Sequence, residues 1–242
     1  MQLTMSIIIR TLISRLLVVI IMVLAAVPAF IFMMLPERWR YDNPLYYWFV
    51  SFVYWAGLKA IFVPIKYKGL EHLPKEPAVF VGNHQSSLDI PLIGTLLDAH
   101  PHIWLATITL LDSPLLGFVL RRMAAIIDMS TPQKGMRSLV NAMRLINNNK
   151  HAIIFPEGGR FIDGKVHPFY GGFVILAKKT GRPVIPVYIR NVQKVYPPEN
   201  FWIYWYPIEV TVGRPFHYQE TDTDETFKQK VYDWFLVQQQ EG

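Results

Sequence analysis

The chain has 242 residues, no cysteine, 52% hydrophobic and 17% charged residues, and a formal net charge of +6. That length suits one catalytic domain with an appendage, and the missing cysteine excludes disulfides, zinc thiolates and a cysteine nucleophile. The low charged fraction leans toward membrane contact, whereas no dense Lys/Arg tract or nucleic-acid motif is present.

Residues 1–66 hold six basic side chains (Arg10, Arg15, Arg38, Arg40, Lys59, Lys66) against Glu37 and Asp42, so +4 of the net charge lies beside the most apolar segments. Anionic lipid head groups would attract that excess. Leu16 to Leu35 is an uncharged run of twenty residues; as a helix it would be about 30 Å long, enough to cross a bilayer core. A signal peptide shares the basic start, but the run is long for one and no Ala-x-Ala site closes it. Pro28 is placed to kink the helix. Glu37 to Asn43 is a polar elbow, and Pro44 to Pro64 is a second apolar helix rich in the aromatics that favour bilayer interfaces. Lys59 near its end is long enough to snorkel. The prediction is a two-helix membrane anchor over residues 1–66, either spanning or dipping into one leaflet.

From Phe62 the pattern changes to short runs separated by turns. Ile65 to Gly69 alternates like an edge strand. Ala78 to Val81, Ile103 to Thr107, Ala124 to Asp128, Ala152 to Phe155, Val184 to Ile189 and Ile203 to Gly213 are further strands. Helices are expected over Leu88–Leu97, Pro114–Arg122, a stretch opened by the Thr131-Pro132 cap and ended by Asn147 to Lys150, Gly171–Lys179 and Phe227–Gln239. In the third of these, Met136, Leu139, Val140, Met143 and Ile146 form the expected core face. In the last, Val231, Trp234 and Phe235 share a face. Alternating strands and helices predict an α/β fold with a mixed, largely parallel central sheet flanked by helices. This catalytic domain takes residues 67–242.

The chemistry gathers at strand ends. Val81 to Pro91 contains His84 and Asp89 at His-x4-Asp spacing, after a buried strand and before a helix. A neutral imidazole takes a proton near pH 7, and a carboxylate on its other nitrogen fixes the tautomer and stabilises the imidazolium. The same spacing also suits a capping histidine and a first-turn helix acid. Ser86 and Ser87 stand close enough to be nucleophiles, but neither lies in a Gly-x-Ser-x-Gly elbow; turn and cap roles fit them. After a second strand comes Phe155-Pro156-Glu157-Gly158-Gly159-Arg160. Gly158 and Gly159 allow close backbone approach to a phosphate or oxyanion, or make a plain turn. Arg160 carries a permanent charge with a fork that fits phosphate, and Glu157 suits acceptor hydroxyls or an ion pair with Arg160. His100 and His102 lack a matching carboxylate or cysteine set for a metal and are expected as surface or helix-end residues.

Four blocks, in order, resemble the glycerolipid acyltransferase family, above all 1-acyl-glycerol-3-phosphate acyltransferases. They are His84 to Asp89, Pro114 to Asp128, Phe155 to Arg160 and Gly181 to Val187, within about residues 65 to 215. The resemblance implies an O-acyltransferase that moves a fatty acyl group from acyl-CoA or acyl carrier protein to a lysophospholipid hydroxyl. No cofactor or metal is implied. It makes His84 the base and Asp89 its orienter, and carries acceptor binding to Glu157, Gly158, Gly159 and Arg160. It gives Pro186 a part in shaping the acyl or acceptor site, although a buried strand explains that residue equally well. It also places the enzyme at the membrane, with the catalytic domain on the cytoplasmic face. Two basic positions common in the family fall here on Ile108 or Thr109 and on Met129. Arg121 and Arg122 are the candidates to compensate. A different lyso-lipid head group, a serine lipid hydrolase and a non-catalytic lipid-binding protein stay open as alternatives.

Overall fold

The computed structural model describes residues 4–146, 149–197 and 200–241. Helix α1, Met5–Met34, is 30 residues long, about 45 Å at 1.5 Å per residue. Thr4 caps it by accepting from the Ile7 N–H. It starts about three turns before the apolar run, and Arg10, Thr11 and Arg15 in that stretch have partners on the protein. Thr11 and Ser14 are buried, and Thr11 Oγ1 accepts from the Ile203 N–H at 3.0 Å. Arg10 donates to the Ile203 carbonyl at 3.2 Å, and Arg15 to the Phe201 carbonyl at 2.8 Å and the Tyr196 hydroxyl at 3.0 Å. Both arginines thus turn toward the protein rather than out to a lipid surface.

The elbow is a short helix, α2 (Glu37–Tyr41). It is clamped by ion pairs from Glu37 to Arg144 at 2.6 Å and from Asp42 to Lys150 at 2.5 Å. The second apolar helix, α3, runs over Pro44–Ala60 with Asn43 as its cap. It ends before Pro64 because Phe62 takes a left-handed φ of 53°. Tyr46, Tyr47, Val50, Leu58 and Ala60 are buried, while Leu45, Trp48, Phe52 and Trp55 are exposed. Rings of Phe32 and Tyr46, 5.5 Å apart, pack α1 on α3.

Seven strands follow: β1 Ile65–Lys68, β2 Val79–Gly82, β3 His102–Thr107, β4 Ala124–Ile127, β5 His151–Ile154, β6 Val184–Arg190 and β7 Ile208–Val212. Their order is β1-β7-β6-β2-β5-β3-β4. β6, β2, β5, β3 and β4 are mutually parallel; β7 is antiparallel to β6 and parallel to β1. The central strands are apolar throughout because both faces are covered. Helices α4 (Asp89–Gly94), α5 (Pro114–Met123), α6 (Pro132–Ile146), α7 (Gly172–Thr180), α8 (Val192–Val195) and α9 (Asp224–Gln240) complete the fold. Val79 and Val81 point into one core with Leu139, Phe173, Phe227 and Phe235. Phe80 points into the other with Ile61, Leu92 and Ile93.

Two expectations change. On α6, Met136 and Val140 are exposed; Gly135, Leu139, Ala142, Leu145 and Ile146 face inward. Small residues let that helix approach the sheet, so its buried stripe is rotated from the row of large side chains. The expected end of this helix falls partly on Asn147 and Asn148, which lie outside the described residues. The last strand starts at Ile208, not Ile203, since 201–206 runs as a loop against α1. Val231 and Phe235 are fully buried as expected, and Trp234 packs beside them.

His102 is buried, not a surface residue, whereas His100 is exposed as expected; His151 is buried as well. His102 Nδ1 donates to the His100 carbonyl at 2.8 Å, and the Ala78 N–H donates to His151 Nδ1 at 3.0 Å. Burial lowers His102 to about 4 and His151 to about 3. The native state therefore binds fewer protons than the unfolded chain between those values and about 6.5, so stability present above pH 6.5 is lost as pH falls. Thermal midpoints measured in detergent from about pH 6.5 down to 5, where the two histidines outweigh any carboxyl titrating in the opposite sense, should drop progressively. His102→Phe should flatten the slope, and an unchanged slope would count against this assignment.

Candidate active site

β2, β3, β4, β5 and β6 all end on one edge of the sheet, where ligands bind in open α/β folds. Leaving β2, Gly82 has no room for a side chain: a Cβ would meet Ile93 at 2.6 Å. Asn83, fully buried, donates from Nδ2 to the Ile189 carbonyl at 2.9 Å and accepts from the Ile189 N–H at 2.7 Å. Its amide continues the pairing with β6 while the main chain turns away. His84 is then delivered beyond the strand end.

The turn closes on Asp89, which is fully buried. Its Oδ2 accepts from the N–H groups of Gln85 at 2.7 Å and Ser86 at 2.8 Å, and lies 2.8 Å from His84 Nδ1. A carboxylate only accepts, so Nδ1 carries the proton and Nε2 is left as the basic nitrogen. The imidazole stacks on Phe155 with ring centres 4.1 Å apart and planes 10° apart. Trp104 stacks behind Phe155 at 5.7 Å. The ring is thus fixed by a hydrogen bond on one edge and an aromatic face below.

Ser86 is buried, its hydroxyl donating to the Tyr196 carbonyl at 3.5 Å and accepting from the Leu88 N–H at 3.3 Å. Those contacts engage its hydroxyl as both donor and acceptor, while Ser87 is exposed.

The second segment leaves β5 beside β2. Glu157 is only 3% exposed. Its Oε1 accepts from the His84 N–H at 3.3 Å, and its Oε2 is buried with no hydrogen-bond partner among the described residues. Burial, with the nearby Asp89 charge adding to it, pushes the carboxyl up to about 8. Glu157 turns inward whereas Arg160 is exposed, and no ion pair joins them among the described residues. Gly158 has φ +70°, and a Cβ there would strike the Tyr170 ring at 2.7 Å. Gly159 is less constrained: a Cβ would rest 3.5 Å from Phe161. One residue past Arg160, the Phe161 N–H donates to the His84 carbonyl at 2.9 Å. Gln85 Nε2 donates to the Lys165 carbonyl at 3.4 Å, and the Val166 N–H donates to Gln239 Oε1 at 2.6 Å. The loop bearing Arg160 is therefore tied to the His84 turn and braced by the tip of α9.

The other candidates lie elsewhere. Pro186 is buried inside the sheet opposite Val81, its carbonyl accepting from the Gly213 N–H at 2.8 Å. Arg121 and Arg122 end α5 just before β4 begins, on the edge opposite His84. The six residues of β3 set those edges about 20 Å apart. Arg122 donates to the Met33 carbonyl at 3.0 Å, securing the end of α1. These two arginines do not replace the missing basic groups of the cleft. Ile108, Thr109 and Met129, by contrast, follow β3 and β4 on the His84 edge. Lys134, 3.6 Å from Asp128, supplies a cation on that side. Asn83 and Phe155 lie within the two motif segments without an expected role there, and Gln239 at the tip of α9 belongs to no motif.

The acyltransferase family model matches residues 64–190, and the chain belongs to that family. It is 32% identical over 147 residues to a chloroplastic 1-acyl-sn-glycerol-3-phosphate acyltransferase of Brassica napus, covering 59% of this chain and 42% of the relative. With a 1-acyl-sn-glycerol-3-phosphate acyltransferase of Pseudomonas aeruginosa it shares 28% identity, over 78% of this chain and 72% of the relative. The chain spans about half the length of several curated relatives it matches, from 42% to 58%. The fold matches the crystal structure of the 1-acyl-sn-glycerophosphate (LPA) acyltransferase PlsC from Thermotoga maritima, with TM-score 0.77, 23% identity and 98% and 95% of the two chains covered.

Asp89→Asn should keep the fold but disturb the His84 tautomer, lowering turnover by roughly 10²–10⁴-fold; an unaltered rate in a steady-state assay would remove Asp89 from the machinery. Glu157 titrates in the opposite sense to the buried histidines. Its native pKa of about 8 lies above its ordinary value of 4.5. The native state holds that proton while the unfolded chain loses it, so Glu157 makes stability fall as pH rises between those values. Glu157→Gln should remove that decline from a pH series of unfolding midpoints. Persistence of the decline would show that Glu157 is charged in the native state.

Proposed function

We propose that the chain transfers a fatty acyl group from an acyl thioester, acyl-CoA or acyl carrier protein, to the free hydroxyl of 1-acyl-glycerol-3-phosphate, giving phosphatidic acid. The observation that carries this reading is the 2.8 Å His84–Asp89 bond, which commits Nδ1 and leaves Nε2 as the base. Nε2 takes the proton of the acceptor hydroxyl as its oxygen attacks the thioester carbonyl. The tetrahedral intermediate collapses with loss of the thiolate, and the imidazolium returns the proton to sulfur. Asp89 stabilises the imidazolium meanwhile. No acyl-enzyme is needed, in keeping with the engaged hydroxyl of Ser86. Arg160, exposed on a loop tied to the His84 carbonyl, is assigned to the acceptor phosphate by its charge and fork. A protonated Glu157 braces the His84 main chain without adding a second negative charge beside Asp89.

The same proposal seats the enzyme on the cytoplasmic face of a membrane through α1. This is the one helix among the described residues long and apolar enough to cross a bilayer. Its two ends are fastened to opposite edges of the α/β body, through Arg10 and Arg15 at one and the Met33 carbonyl at the other. A helix held so lies along the body, which favours burial in one leaflet over spanning. Its outer face exposes Leu16, Val19, Val23, Leu24 and Val27.

Detergent-purified protein should release thiol from a long-chain acyl-CoA or acyl carrier protein only when lysophosphatidic acid is added, and His84→Ala should abolish the release. Thiol release without acceptor would favour a hydrolase. No release with any lyso-lipid from a folded sample would overturn the acyl-transfer reading.

A further inference from the structure

The loop between α8 and β7 carries Phe201, Trp202, Tyr204, Trp205 and Tyr206 within six positions. At its start it is fastened to α1, through the Arg15 bond to the Phe201 carbonyl and the Thr11 bond to the Ile203 N–H. In its middle the Tyr204 N–H donates to the Val195 carbonyl at 2.8 Å, and at its end the Ile208 N–H donates to the Pro64 carbonyl at 3.0 Å. The loop therefore crosses the His84 edge from α1 to the end of α3. Phe201 and Trp205 are 51% and 55% exposed along it, and Phe62 and Trp55, at the α3 end, are 50% and 53% exposed. Large aromatic surfaces left open are costly in water.

Phe62 adds an independent sign. Its φ of 53° is a conformation a bulky residue seldom adopts, and such outliers point to function. Glycine would make the same turn without strain, yet a half-exposed phenyl stands here. Cations accompany the rings. Lys59 receives the Phe62 N–H on its carbonyl, Lys66 is exposed on β1, and the Lys194 ammonium lies 6.0 Å from the Tyr206 ring. Aromatic rings interleaved with lysines suit the boundary between acyl chains and anionic head groups. The loop adjoins α1, since Arg15 bonds the Phe201 carbonyl and its guanidinium lies 5.0 Å from the Phe201 ring.

We propose that Trp55, Phe62, Phe201 and Trp205 form a rim that seats the His84 edge at the head-group level of an anionic bilayer, so that the acceptor is taken directly from the membrane. This rests on the function proposed above and extends it to a second contact surface beyond α1. The occupant is the lipid surface, through continuity with α1 and the adjoining lysines.

The test compares wild type, Phe201→Ser/Trp205→Ser and Phe62→Gly on two acceptors. One is long-chain lysophosphatidic acid in vesicles of phosphatidylcholine and phosphatidylglycerol; the other is a short-chain, water-soluble analogue below its micelle concentration. The expected result is a loss of roughly tenfold or more in kcat/KM on vesicles, with activity on the soluble acceptor retained. Phe62→Gly should at the same time keep or raise the thermal midpoint, since glycine adopts that φ freely. Equal losses on both acceptors would overturn the proposal in favour of structural support of the site. So would no loss on either. A dimer in wild type that dissociates in both variants would show that the rim pairs two copies instead. Wild type inactive on both acceptors would overturn the acyl-transfer reading itself. Wild type active on both but failing to sediment with vesicles would overturn the membrane reading and the rim with it.

Discussion

One carboxylate oxygen, Asp89 Oδ2, organises the site. It draws the N–H groups of Gln85 and Ser86 and the Nδ1 of His84 onto a single buried point. Those contacts shape the turn between β2 and α4 and orient the imidazole. A fully buried charge is tolerated only when donors converge on it. Here the groups that compensate it are the backbone of the turn and the histidine it serves. Folding of the turn and alignment of the imidazole are therefore one event.

A second buried carboxyl stands close by, and electrostatics divides the pair. Asp89 gathers three donors on Oδ2, whereas Glu157 accepts only the His84 N–H; each acid also has one buried oxygen without a partner among the described residues. Burial keeps Glu157 protonated near neutral pH. Two acids in neighbouring environments thus take different places, one holding the His84 imidazole and one, neutral, set against the His84 main chain. The glycines after Glu157 let the chain reverse sharply, and the loop they open is bonded back to His84, Gln85 and Gln239.

The apolar N-terminal segment is built into the same architecture. α3 contributes one face to the core and leaves the other exposed, so the hairpin is neither a detached tether nor a soluble core element. Arg10, Arg15, Arg40 and Arg122 fasten the ends of α1 through main-chain carbonyls. Arginine suits such posts, since its planar fork holds several acceptors at once. The helix thereby keeps a fixed bearing relative to the edge that holds His84.

The sequence by itself determined the strand and helix alternation, the parallel character of the sheet, the long apolar helix and the two segments that meet in the cleft. These are local properties: hydrophobic period, turn chemistry and motif spacing within a few residues. What only the tertiary structure decided depends on partners distant in the chain. On α6, Leu139 and Ile146 face inward as expected, but Gly135, Ala142 and Leu145 take the places expected for Met136 and Val140. Arg121 and Arg122 were assigned to the cleft by charge alone, but strand direction carries them to the opposite edge. Glu157 and Arg160 sit three residues apart, yet one is buried and the other exposed, because the turn between them needs a left-handed glycine. Asn83 and Phe155, inside the motif segments, and Gln239, outside them, gained their roles only through hydrogen bonds and stacking across the fold.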